Sequence, residues 1–252
     1  MLAEFTNDII FQYAVIFARL GSVFLFMPGI GESYVTSRSR LAIGLTVSLI
    51  FFPLLKDITP PMPETIIEMF LILLGEVTVG IFIGLMMRVI QSTLHIAGMK
   101  IAFMSGLSTA TLFDANQSTQ GSVIGGFLSV IGITLFFTTN LHHIFFQSFY
   151  ESYQVMAPAS MPLLNSFSLK VIGYLSASFL IAFKISAPVI TCGLMLYLGA
   201  GLMGRLMPSM QVFFVLLPVQ IFVGLLFVGL SLSAMMMVYI NFFEDTLLNL
   251  FN

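Results

Sequence analysis

The chain has 252 residues, of which 58% are hydrophobic and 8% charged. A soluble domain carries about 25% charged residues, and a mean hydropathy of +1.06 excludes a water-coated globule. Nine Lys and Arg against eleven Asp and Glu give no basic surface for nucleic acid, so the class that remains is an integral membrane protein, or a subunit buried in an assembly.

In chain order, residues 1–8 carry Glu4 and Asp8 without Lys or Arg, so no cleavable signal peptide is expected there. Apolar stretches follow at 9–30, 41–55, 66–90, 123–137, 171–198 and 212–240. A spanning helix needs about 20 apolar residues, which four of the six supply. The stretches 41–55 and 123–137 reach only about 22 Å at 1.5 Å per residue. They read as tilted, re-entrant or protein-buried pieces. The expected fold is all-α, with about six hydrophobic segments forming kinked helical hairpins.

Breaks are expected at Pro28, Gly29 and Gly31, then at Pro53, Pro60, Pro61 and Pro63, because proline cannot continue a helix. Pro158 and Pro162 mark a later break, and Gly199, Gly201, Gly204 and Pro208 another. Pro188 and Pro218 fall inside apolar stretches and are expected to kink them. The longest polar interruption runs from Gln91 to Ser122. Its core, residues 106–121, is rich in small hydroxyl and amide side chains and holds one charge, Asp114. An exposed membrane loop is usually more charged. This composition suits a segment folded inside a protein-lined cavity.

Counted over alternate connections, one side collects Arg38, Arg40, Arg88, Lys100 and Arg205, and the other Lys56 and Lys170. The excess places both termini outside the cytoplasm. Arg19, Glu76 and Lys184 lie inside apolar stretches, where a lone charge is expensive. They could relay protons, or they pair with one another or with a neighbouring subunit. A relay needs several acids along a path, and Glu76 has no acidic companion in another apolar stretch. Pairing is therefore preferred, Arg19 with Glu76 being one arrangement.

Gly80 with Gly84, and Gly121 with Gly125, have the GxxxG spacing that lets membrane helices approach closely. The 17 methionines read as core filling before a deformable seal. His142 and His143 read as helix-end hydrogen-bonding groups before a pH sensor. The lone Cys192 and the histidine spacing offer no metal cluster, and no catalytic constellation or cofactor-binding pattern is visible.

Arg205, Pro208, Met210, Phe213 and Pro218 form a run Arg-x-x-Pro-x-Met-x-x-Phe-x-x-x-x-Pro, bounded by Gly201 and Gly224. With Phe17, Arg19, Pro28, Gly31, Glu32, Arg38, Arg40, Gly75, Glu76, Gly80, Gly84, Gly98 and the sequence Gly106, Leu107, Ser108, the chain resembles the FliR family nearly end to end. These are export-apparatus subunits of the bacterial flagellar type III secretion system, related to injectisome subunits. The family usually has Asp-Pro where this chain has Asp114 and Ala115. It has Gly-Gly-His where Asn140, Leu141 and His142 stand here, and often a lysine at Gln220.

The resemblance implies a non-catalytic subunit, in one domain over 1–252, of a hetero-oligomeric pore with FliP- and FliQ-type subunits, beside FlhB and FlhA. Residues 1–165 then resemble a pore-lining FliP subunit, and 166–252 a FliQ hairpin. Unfolded flagellar proteins are the cargo, and the site is the flagellar basal body in the bacterial inner membrane. Much of such an assembly lies above the membrane plane, which would account for the two short stretches. A plug loop is implied at residues 106–121, including Gly106, Leu107, Ser108, Thr109, Phe113, Asp114, Asn116, Gln117 and Gly121. An injectisome subunit is the alternative, although Pro28, Gly29, Ile30, Gly31 and Glu32 lean flagellar. A small secondary transporter would need inverted repeats and coupling acids, and neither is found.

Overall fold

The computed structural model describes residues 2–108, 122–158, 164–207 and 211–250. Among these, all regular structure is helical: α1 (Leu2–Phe24), α2 (Ser37–Leu55), α3 (Ile66–Met104), α4 (Val123–Thr138), α5 (Leu141–Val155), α6 (Leu164–Leu206) and α7 (Val212–Leu248). Four of them, α2, α3, α6 and α7, are long and apolar enough to cross a membrane, and α4 with α5 meets the same test as a pair bent by 74°. The chain is an all-α membrane protein.

Local chemistry sets several boundaries. Thr36 precedes α2 in extended backbone, and its hydroxyl accepts from Ser39 N at 3.2 Å, satisfying one orphan N–H of the first turn. Ser122 caps α4 in the same way, accepting from Gly125 N at 3.1 Å. Asn140 turns α4 into α5 at φ 60°, a left-handed conformation that asparagine tolerates.

The structure departs from the expected segments at five places. Residues 37–40 extend the short stretch 41–55 into the 19-residue α2, which is long enough to cross a membrane. The apolar run ends at residue 90, yet α3 continues to Met104. Gln91, Leu94, Gly98, Ile101 and Ala102 are buried there, a helical spacing that small and polar residues carry as well as large apolar ones. Gly199, Gly201 and Gly204 do not break α6, which reaches Leu206. A glycine costs a helix only about 1 kcal/mol, whereas an unpaired backbone group in an apolar medium costs several. Pro53 lies inside α2, two residues before its end, where little helix remains to be disrupted. Finally, α5 is missing from the apolar stretches. It buries Leu141, Phe145, Phe149, Ser152 and Tyr153, a one-sided stripe that a search for continuous apolar runs passes over.

The chain divides into two compact units. The first comprises Met1–Ile90, Asn140–Leu175 and Thr246–Asn252. There α2 meets α1 at Gly44, where an added Cβ would lie 3.4 Å from Phe17, and Tyr13 donates to Leu45 O at 2.9 Å. At Gly80, α3 presses on α1: a Cβ there would collide with Ser22 Oγ and Arg19 O. Phe51 of α2 packs on Phe146 and Phe149 of α5, with centroids 5.8 and 5.5 Å apart. The second unit comprises Gln91–Thr139 and Ser176–Asp245. Its tightest crossing is α3 on α4, where a Cβ on Gly98 would collide with Gly125 Cα and N. Lipid supplies no hydrophobic drive between helices, so such close approaches and buried hydrogen bonds hold the bundle.

Candidate functional site

Two arrangements of polar groups stand out, one in each unit. In the first unit, the apolar helices α1 and α3 each contribute one charge. Arg19 is 0% and Glu76 3% exposed. Arg19 Nε donates to Glu76 Oε2 at 2.6 Å and Nη2 to Oε1 at 3.1 Å, a two-pronged pair. The same guanidinium reaches α5: Nη1 donates to Ser152 Oγ at 3.2 Å and Nη2 to Met156 O at 2.9 Å. Its carbon lies 3.9 Å from the centroid of the Tyr153 ring. A planar guanidinium can serve a carboxylate, a carbonyl and an aromatic face together, which lysine cannot. This ties α1, α3 and the end of α5 around one point, with the charge neutralised internally.

The turn after α1 is built around a second arginine. Pro28 is buried, and Gly29 has φ 83°. A Cβ on Gly31 would lie 3.0 Å from Met27 O and closer still to Leu25 O, so only glycine fits. Arg40 Nε donates to Ile30 O and Nη2 to Glu32 O, both at 3.1 Å. Arg88 pairs with Glu32 at 3.1 Å. Arg40 therefore serves as a clamp on carbonyls.

In the second unit, the geometry gathers at the two ends of the polar segment. Gly106 follows α3, buried, at φ 72°. Gln220 of α7 donates from Nε2 to Met104 O at 2.6 Å, and its Oε1 lies 3.3 Å from where a Gly106 Cβ would be. The last carbonyls of a helix have no intrahelical donor, and Gln220 satisfies one of them. Gly224, one turn further along α7, sits against Ser105 so closely that a Cβ would collide with it. Gly193 of α6 faces Met104, with a Cβ there lying 3.2 Å from Met104 O. At the other end, Ser122 donates to Gly98 O at 3.1 Å beside the Gly98–Gly125 crossing. Behind it, Tyr239 donates to Gln91 Oε1 at 3.0 Å, and Gln91 Nε2 to Ser129 O at 3.3 Å. Both ends of the segment are thus held by backbone-level contacts within one unit.

Of the residues singled out from the sequence, Arg19 joins Glu76, Pro28 joins Arg40 at the turn, and Gly106 and Gly224 meet around Ser105. Leu107 and Ser108 are half-buried beyond Gly106. Arg205 and Pro218 are exposed. Thr109, Phe113, Asp114, Asn116, Gln117, Gly121, Pro208 and Met210 lie outside the described residues, as does the Phe213 side chain. The sequence reading did not assign roles to Ser152, Tyr153, Gly98, Ser122, Gly193 or Gln220. Gly98 and Gln220 alone carried a signal, the first among the residues of the family resemblance and the second as a departure from the lysine common in that family. No group of His, Cys, Asp and Glu among the described residues could hold a metal ion.

Comparison with known proteins extends the picture over nearly the whole chain. Residues 10–246 match the family described as "Bacterial export proteins, family 1". The flagellar biosynthetic protein FliR of Caulobacter vibrioides is 32% identical over 238 residues, covering 94% of this chain and 95% of that protein. The protein of the same name in Bacillus subtilis is 27% identical over 243 residues, covering 95% and 93%. That of Escherichia coli is 26% identical over 228 residues, covering 89% and 84%.

Proposed function

Because the chain belongs to the FliR family of bacterial export proteins, we propose that it completes the pore of the flagellar type III protein export gate, as a non-catalytic subunit. It is a component of the flagellar export apparatus. FliP- and FliQ-type subunits are its neighbours in this reading, with FlhB and FlhA beside them, in the bacterial inner membrane at the flagellar basal body. Residues 1–165 take the pore-lining part and 166–252 the hairpin part. Unfolded flagellar proteins pass through, and the driving energy enters at another subunit. The flagellar names of the relatives favour this over an injectisome role.

In this reading residues 106–121 plug the closed channel. The observation that carries it is the anchoring of both ends: Gln220, Gly224 and Gly193 grip Met104, Ser105 and Gly106, while Ser122 bonds to Gly98. A plug must withstand a pressure of ions and solutes without being pulled out, so its roots need to be fixed while the segment between them changes place. The buried Arg19–Glu76 pair supports a structural rather than a relaying role for those charges, since Glu76 spends both oxygens on Arg19.

The test has two parts. A tagged chain drawn from the membrane in gentle detergent brings FliP- and FliQ-type subunits with it. A lone monomer would refute the gate reading and return attention to transport. Replacing residues 109–120 by a flexible Gly-Ser segment leaves the complex assembled and makes the membrane leak small ions. A tight membrane around a correctly assembled complex would refute the plug.

A further inference from the structure

Two lysines remain that the proposed role does not use. Lys100 lies near the end of α3 and Lys184 within α6, both in the second unit. The Lys100 ammonium sits 3.3 Å from the centroid of the Phe183 ring. It is closed off from solvent and has no hydrogen-bond partner among the described residues. Lys184 follows Phe183 directly along α6, and its side chain is exposed. Lys100 is thus housed against an aromatic face, whereas neither that contact nor the ion pairs described above involves Lys184. Lys184 stands 14 residues after Lys170 and 21 before Arg205, inside the candidate span Phe167–Leu206. An ammonium left facing hydrocarbon at such a place is costly.

We propose that Lys184 receives a carboxylate carried on an apolar helix of a partner subunit. The proposal rests on the reading that the chain works within a multi-subunit export complex. The chemistry of the partner follows from the charge. An ammonium with donors to spare calls for an acceptor, and a carboxylate delivered on an apolar helix meets it away from water, where an ion pair is stronger.

A helix as the carrier follows from the surface around Lys184. Ser176, Leu180, Ala187 and Thr191 are exposed along the same helix at intervals of three, four, seven and eight residues from it. Apart from Leu180 these side chains are small, and at that spacing they admit a second helix at short range. A second copy of this chain is a poor occupant. Among the described residues, Glu76 is committed to Arg19 and Glu151 accepts from Gln147. Glu68 lies in the first turn of α3, and Glu244 and Asp245 lie near the end of α7.

The experiment uses the full chain in cells that assemble the export complex. p-Benzoylphenylalanine replaces Leu180 as a photo-crosslinker, and a tag recovers the complex. The expected result is a crosslink to a partner polypeptide. Lys184→Glu lowers that crosslink about tenfold or more, as loss of one side of a buried charge pair does, while Lys184→Arg retains it. An acid-to-lysine change in the crosslinked partner restores it to the Lys184→Glu chain. If the tag recovers the assembled complex but the crosslinker labels lipid alone or nothing, the inference is overturned and the export-gate reading stands. If the tag recovers the chain alone, both fall. Where Lys184→Glu fails to accumulate, Lys184→Gln takes its place, and a partner crosslink that neither variant weakens overturns the inference.

Discussion

The pair of Arg19 and Glu76 lends itself to a quantitative test. Changing Arg19→Met leaves the Glu76 carboxylate buried and unpaired. Changing Glu76→Leu leaves the guanidinium with only Ser152, Met156 and the Tyr153 ring. Breaking a buried pair from one side costs about 3–5 kcal/mol. In a chain of about this size, 1 kcal/mol moves the unfolding midpoint by about 2–4 °C, so each single variant is expected to lose about 6–20 °C.

The double variant removes both charges and fills the space with apolar side chains. It forfeits the donations to Ser152 Oγ and Met156 O, about 1 kcal/mol each. Its deficit is therefore about 2 kcal/mol, smaller than that of either single change. The assay is thermal unfolding of the three variants and the wild type, purified with their complex in the same mild detergent. If the double variant loses as much as the two singles added together, the charges are not compensating one another, and the argument fails.

Three further outcomes follow from the second unit. Gly98→Ala forces α3 away from Gly125 and weakens the Ser122 bond, with an expected loss of about 1–3 kcal/mol. Gly126→Ala, where an added Cβ meets nothing within 4 Å, is the control and stays near wild type in the same unfolding measurement. Gln220→Ala strips Met104 O of its donor, at about 1–3 kcal/mol, and raises ion leak through the assembled complex. Gln220→Lys keeps a donor and recovers most of the loss; equal damage from both changes would show that the hydrogen bond is not what holds the root. Tyr239→Phe leaves Gln91 Oε1 buried without its donor, again at about 1–3 kcal/mol, and hydrogen exchange in the last turns of α3 reports the loosening.

Much of this protein is written in local composition. A chain with 8% charge and 58% hydrophobic residues has to bury its apolar stretches, and their long continuous runs, without the alternation of a barrel strand, satisfy their backbone groups as helices. The charges Arg19 and Glu76 are conspicuous for the same reason, since nothing apolar surrounds a charge without something to offset it. Gly31, closely following Pro28 and Gly29, likewise announces a tight turn.

Contacts between segments distant in sequence are another matter. That Arg19 meets Glu76 57 positions away and Ser152 133 positions away depends on how α1, α3 and α5 cross. No periodicity within any one of them encodes that crossing. Gly98 looks like an ordinary glycine in a helix until Gly125 is found against it, and Gln220 looks like a polar residue in an apolar run until its partner proves to be Met104 O, 116 positions earlier. Residue type sets what a group must do with its charge or its hydrogen bonds. Only the tertiary packing chooses the partner that does it, because the choice is made by the summed shape of whole helices.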